Sequence, residues 1–225
     1  MPSVKIPRKS TATDMTPFVD VAFLILSFFM LATKFKPPEP AQITTPHSVS
    51  SDQLQESNSV MIDFDSTGRI FFTVNTKKAD DDIVKLKIIQ NLNATKNLGL
   101  TDQEMRNFQR NTTVGVPFNQ LKSLLDVPIE SRLSVKQPGI PADSTNNQLA
   151  DWIGAAKRTF YEYDPRMQVF YMIKGDNHAK YPLFDGIVEA MRKNDQFSYK
   201  LVTDPESVPE GTALYQIRQT GKGKK

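Results

Sequence analysis

Cysteine is absent from the 225 residues, histidine occurs twice and tryptophan once. A disulfide framework and a thiolate metal site are therefore excluded. His47 and His178 stand in a polar stretch and a turn with no partners at ligand spacing, so both read as surface residues. No Ser/His/Asp set, phosphate-cradling loop or metal-ligand cluster suggests catalysis, and the sequence implies neither an enzyme nor a cofactor. Excess charge is scarce too: five of the 28 basic and two of the 25 acidic residues lie in the first 36, leaving 23 of each beyond them. A nucleic-acid binder would carry a basic stripe, and the only basic cluster is Lys222, Lys224 and Lys225 at the end, which reads as a solvated tail. Long apolar runs are missing with one exception, and a mean hydropathy of −0.41 marks most of the chain for water.

The exception is Pro17-Phe18-Val19-Asp20-Val21-Ala22-Phe23-Leu24-Ile25-Leu26-Ser27-Phe28-Phe29-Met30-Leu31-Ala32-Thr33. Continued to Phe35, it would cover about 28 Å as a helix, close to the roughly 30 Å of bilayer hydrocarbon. A single span over residues 16–35 is expected. Lys5, Arg8 and Lys9 before an apolar stretch resemble a cleavable signal, but an aspartate interrupts the run, no small-x-small site follows it, and it exceeds a usual signal core. A retained anchor is the better reading. The slight basic bias of these three residues over Lys34 and Lys36 favours a cytoplasmic N-terminus. Residues 1–15 are then a cytoplasmic tail, with the bulk of the chain on the other side of the membrane.

Asp20 is the informative residue, because a carboxylate inside such a segment is costly and is a functional hypothesis by default. At 100° per residue, Thr13, Thr16, Asp20, Ser27 and Lys34 fall within about 40° of one another, so the polar side chains share a face. Desolvation penalises the charged carboxylate, which suits it to take a proton on one side of a membrane and release it on the other. Pro17, lacking an N–H, fits a first helical turn, and Thr16 before it is the expected N-cap; together they set the depth of Asp20. One helix supplies neither a proton pathway nor a partner, so other membrane helices are expected around it.

Asp14-Met15-Thr16-Pro17-Phe18-Val19-Asp20-Val21, followed by a span containing Phe28-Phe29-Met30, resembles the N-terminal signature of the ExbD/TolR family. The resemblance implies that Asp20 is the proton-coupling residue, with Thr16 and Ser27 as secondary polar contacts. It further implies an inner-membrane subunit of a proton-motive-force transducer of ExbB–ExbD–TonB type. Its partners would be an ExbB/TolQ-like polytopic oligomer, a second copy of this chain, a TonB/TolA-like protein and membrane lipid. A TolR-like envelope-maintenance role and a flagellar-stator-type, torque-generating role are the alternatives within reach of the same motif.

Beyond the span, Lys36-Pro37-Pro38-Glu39-Pro40 and the polar stretch after it read as a periplasmic linker over residues 36–58. Alternating runs around Asp65-Ser66-Thr67-Gly68 predict a β-hairpin over residues 59–74, with Ile62, Phe64, Ile70, Phe72 and Val74 facing a core. Asp63-x-Asp65-x-Thr67-Gly68 opens like a calcium loop, but its twelfth position is Val74 and its flanks are strands, so it is rejected. Helices are expected over 148–163 and 182–193, and strands over 168–173 and 197–202. The order ββαβαβ is similar to the periplasmic domain of the ExbD/TolR family, here over 59–203. Residues 77–146 depart from that family as a largely helical insertion, with an amphipathic stretch over 80–93, a capping box at Thr101-Asp102-Gln103-Glu104 and a short helix over 117–125. Residues 204–225 are expected to be a C-terminal tail.

Overall fold

The computed structural model describes residues 15–32, 41–50, 54, 57–77, 81–132 and 134–219. The chain divides into two compact units, Met1–Pro38 and Glu39–Lys225. In the first, α1 (Thr16–Ala32) is a 17-residue helix none of whose residues is buried. In the second, the elements run β1 (His47–Ser48), β2 (Ser59–Phe64), β3 (Ile70–Asn75), α2 (Asp81–Lys96), α3 (Asp102–Arg110), α4 (Phe118–Asp126), α5 (Ile129–Arg132), α6 (Gln148–Tyr163), β4 (Phe170–Gly175), α7 (Tyr181–Arg192), β5 (Lys200–Val202), β6 (Asp204–Pro205) and α8 (Ala213–Gln219).

Four strands form one mixed sheet in the order β3-β2-β4-β5. β2 and β3 are the expected antiparallel hairpin, in register from Ser59 opposite Asn75 to Phe64 opposite Ile70. β4 then joins β2, and β5 joins β4, each in parallel. Asp65 closes the hairpin turn: its carboxylate accepts from the Thr67 hydroxyl at 2.7 Å, the Arg69 amide at 2.9 Å and Arg69 Nε at 2.7 Å. Burial pushes this carboxyl up, but the Thr67 hydroxyl, the Arg69 amide and the Arg69 guanidinium outweigh it and hold it below the usual carboxylate range. The residues that open like a calcium loop thus use Asp65 to fix a turn, with Gly68 at φ +95° where a side chain would be strained.

The insertion is built into the core. Trp152 of α6 is fully buried and lies 5.2 Å from the ring of Phe72 on β3, 5.5 Å from Phe108 on α3 and 6.1 Å from Phe118 on α4. Sheet, insertion and the helix that follows it therefore meet around one indole. Residues of the insertion also cover the outer edge of β3. Phe72 and Val114 exchange backbone hydrogen bonds at 2.8 and 2.9 Å, the Thr112 hydroxyl donates to the Val74 carbonyl, and the Ile140 amide donates to the Ile70 carbonyl. An edge strand left open is a template for aggregation, and this one is closed. The expected capping box is present, with the Thr101 hydroxyl accepting from the Glu104 amide and the Glu104 carboxylate from the Thr101 amide at 2.7 Å. The short α5 lacks an amphipathic repeat in sequence. Its Arg132 is buried and donates to the carbonyls of Asn107 on α3, Leu125 on α4 and Val127 just beyond α4, tying these elements to α5.

Two expected boundaries are corrected. The linker expected over 36–58 is not all connector, because β1 pairs in parallel with β6. The tail expected over 204–225 begins with that same strand and carries α8. The physical reason is that backbone groups and one side chain make these contacts, so no apolar periodicity announces them: the Thr44 amide donates to Asp176 Oδ2 at 3.1 Å, the Asn177 amide to the Thr44 carbonyl at 2.9 Å, and the Asp204 and Glu206 amides to the Pro46 and Ser48 carbonyls at 3.0 and 2.9 Å.

Candidate functional site on the N-terminal helix

Asp20 is the only ionisable residue within α1. Ala22, Leu24, Leu26, Met30, Leu31 and Ala32 are strong helix formers, and the segment is apolar on nearly every side; a helix of that kind needs lipid or other helices around it. Phe18, Phe23, Leu24, Leu26, Phe28, Phe29, Met30 and Leu31 are all exposed, Leu31 by 88%. Such a surface on a folded water-facing protein would be a large apolar patch, which marks an interaction surface.

The helix brings Thr16, Asp20 and Ser27 onto one face at spacings of four and seven residues. Ser27 is the one part-buried residue of α1. By helical rise, Asp20 stands about 6 Å along the axis from Thr16 and about 10 Å from Ser27, too far for direct contact with the hydroxyl of Ser27. Thr13 and Lys34, the other expected members of this stripe, lie outside the described residues. The cap expected at Thr16 falls one residue earlier: the Met15 carbonyl accepts from the Val19 amide at 3.1 Å, which places Thr16 inside the first turn. A hydroxyl acts as an N-cap only from the position preceding that turn. Pro17 lies in the first turn as expected, where its missing N–H costs no intrahelical bond.

The expected span over 16–35 is described only as far as Ala32, and Thr33, Lys34 and Phe35 lie outside the described residues. Seventeen residues cover about 25 Å, against roughly 30 Å of hydrocarbon. Among the described residues no helix is long and apolar enough to cross a membrane.

In the folded unit, no group of three or more His, Cys, Asp or Glu among the described residues could hold a metal ion. His178 is exposed and its Nδ1 lies 3.3 Å from Asp176 Oδ1. The Asp176 carboxylate accepts from the Thr44 amide at 3.1 Å and the His178 amide at 2.9 Å, contacts that no sequence period announces. The His178 and Thr44 amides hold its carboxyl below the usual range against the opposing effect of desolvation. The available signal was the short polar turn Asp176-Asn177-His178, in which an aspartate bonds the amide two residues on.

A scan against protein-family models matches residues 7–206 to the family described as biopolymer transport protein ExbD/TolR. That match includes α1, the sheet and the whole of the insertion. No significant match is found among curated proteins or among solved structures.

Proposed function

We propose, because the chain belongs to the ExbD/TolR family, that it is the ExbD-type inner-membrane subunit of a proton-motive-force-driven transducer energising outer-membrane transport. Members of this family are transport-associated subunits, not enzymes. Asp20 carries the proton. The observation that carries this reading is one carboxylate, alone in an apolar helix, on the face that also bears Thr16 and Ser27.

The apolar run that begins with α1 anchors the chain, with Lys5, Arg8 and Lys9 on the cytoplasmic side and the folded unit in the periplasm. In hydrocarbon a charged carboxylate is penalised, whereas its protonated form is tolerated. Asp20 charged therefore prefers a hydrated or hydrogen-bonding neighbourhood, and Asp20 neutral an apolar one. Proton uptake from one side and release to the other moves the helix between two sets of neighbours, which is the switch. Pro17 fixes where the helix starts and so the depth of the carboxylate. The neighbours are the helices of an ExbB/TolQ-like oligomer enclosing two copies of this chain, and the folded unit hands the movement to a TonB/TolA-like protein.

Asp20→Asn keeps shape and hydrogen bonding but cannot ionise. In cells that rely on this subunit, the variant is expected to assemble with its partner and to support no TonB-dependent uptake. Uptake at the wild-type level would overturn the proposal.

A further inference from the structure

Three parts of the folded unit meet around a cleft of about 710 Å³: the hairpin turn, the insertion and the start of α7. That volume lies within the roughly 300–1,000 Å³ of ligand-binding clefts. Ile70, Ile140 and Leu183 give it an apolar floor. Its walls are already in place. The Gly139 amide donates to the Gly115 carbonyl at 2.6 Å, the Ile140 amide to the Ile70 carbonyl at 2.9 Å and the Gln148 amide to the Pro141 carbonyl at 2.9 Å. Gly139, at φ +99°, passes so close to the Arg69 backbone that a Cβ would stand 2.8 Å from it, and Asn147 Nδ2 donates to the Gly186 carbonyl at 3.2 Å. Pro117, Pro138, Pro141 and Pro182 stiffen the lining through their fixed φ. A site ordered to this degree in advance loses little conformational entropy when it binds.

The exposed rim carries Gln120, Asp143 and Lys180. Among the described residues, neither the Gln120 amide group nor the Lys180 ammonium has a hydrogen-bond or ion-pair partner. Asp143 Oδ1 accepts from the Thr145 hydroxyl at 2.6 Å and the Asn146 amide at 2.7 Å, which hold the carboxyl below its usual range, and Oδ2 has no partner among the described residues. The Ala142 carbonyl lies against Gly186, so Asp143 and Lys180 stand about six residues of α7, or about 9 Å, apart. Among the described residues no aromatic ring lines the cleft, which argues against a proline-rich ligand, since such segments dock on aromatic-lined grooves. An aliphatic floor between unlike charges suits instead a segment with one large aromatic anchor between an acidic and a basic residue.

We propose that this cleft is a docking site for an extended segment of a partner protein with that pattern. The aromatic side chain packs on Ile70, Ile140 and Leu183, the acid pairs with Lys180 and the base with Asp143. Because the rim is exposed at both charges, a longer chain can pass through. The site lies within the folded unit and stands whether or not Asp20 carries a proton.

The probe is the peptide Glu-Gly-Trp-Gly-Lys, capped at both ends and carrying a fluorophore on a Gly-Ser extension. The full chain in lipid nanodiscs is titrated into it and followed by fluorescence anisotropy, with empty nanodiscs as the blank. Saturable binding is expected, weakened at least about tenfold when alanine replaces the tryptophan of the peptide. Gln120→Trp, which fills the cleft from an exposed position, is expected to weaken it as much. Lys180→Gln and Asp143→Asn remove rim charges, and Asn keeps the oxygen that closes the Asp143 turn; each should weaken binding by about two- to fivefold. The loss from Lys180→Gln should vanish for a peptide with glutamine in place of its glutamate, which couples that pair of charges. All three variants change exposed side chains, and calorimetry verifies that they fold. Absence of saturation up to about 1 mM peptide overturns the proposal, as does an affinity unmoved by Gln120→Trp. So does an equal loss from Lys180→Gln with both peptides.

Discussion

α1 and the sheet domain solve opposite problems with the same kinds of residue. In the domain, Phe72, Phe108, Phe118 and Trp152 satisfy one another, and buried polar groups such as Asp65 find their partners within a few residues. In α1, the phenylalanines and leucines face outward and the lone carboxylate has no charged residue on its own helix. The first region buries its large aromatic core within the one chain. In the second, an apolar surface with one carboxylate is left exposed, and under the proposed function its chemistry depends on what surrounds it.

That contrast can be broken by substitution. The largest effect is expected from Asp20→Asn, which should abolish proton-dependent transport while the thermal unfolding of the domain, followed by calorimetry, stays unchanged. A shift in domain melting would show that the two regions are not independent in this sense. Next is Phe108→Ala, which removes a fully buried ring from the stack on Trp152 and should destabilise the domain by about 3–5 kcal/mol in urea unfolding. A loss below about 1 kcal/mol would mean that the insertion is an appendage rather than a shared part of the core.

Smaller again is Asp65→Ala, expected to cost about 1–3 kcal/mol because the Thr67 and Arg69 donors lose their acceptor at the hairpin turn. The sign of its pH dependence follows from a carboxyl held below its usual range: the contribution is present above about pH 4 and is lost as pH falls through the lowered value. The pH profile of unfolding for Asp65→Ala should therefore converge with that of the unsubstituted chain in acid. The smallest effect belongs to Asp176, whose carboxyl is also held low by the His178 and Thr44 amides, with the His178 ring facing it from the same turn. The Thr44 and His178 amides followed by hydrogen exchange, corrected for the intrinsic pH dependence, should lose protection only below the ordinary carboxylate range of about 4.

Much of the domain was legible because its elements obey simple periods. The alternation around Gly68 gave the hairpin, the 3.6-residue repeat through Leu149, Trp152, Ile153, Ala156 and Phe160 gave α6, and Thr101 with Glu104 marked the start of α3. Boundaries moved by two or three residues at β4 and β5, where the strand ends depend on neighbours and not on pattern. The docking of residues 41–50 was illegible for a different reason. Two residue pairs and a side-chain latch between Thr44 and Asp176, 132 positions apart, leave no local signature. The Thr16 cap was misplaced because a Thr-Pro pair fits a helix start in either of two frames, and the Met15 carbonyl decided between them.

The sequence by itself determined that one apolar helix carries one carboxylate, that Thr16, Asp20 and Ser27 share a face, and that a hairpin precedes two αβ units. Those are properties of spacing, and spacing is written in the chain. Only the tertiary structure decided that the insertion closes the edge of β3 and stacks on Trp152, and that residues 41–50 are docked. Those contacts join segments distant in sequence through backbone groups and ring faces, which every residue or many residues can supply, so no pattern of residue types foretells them.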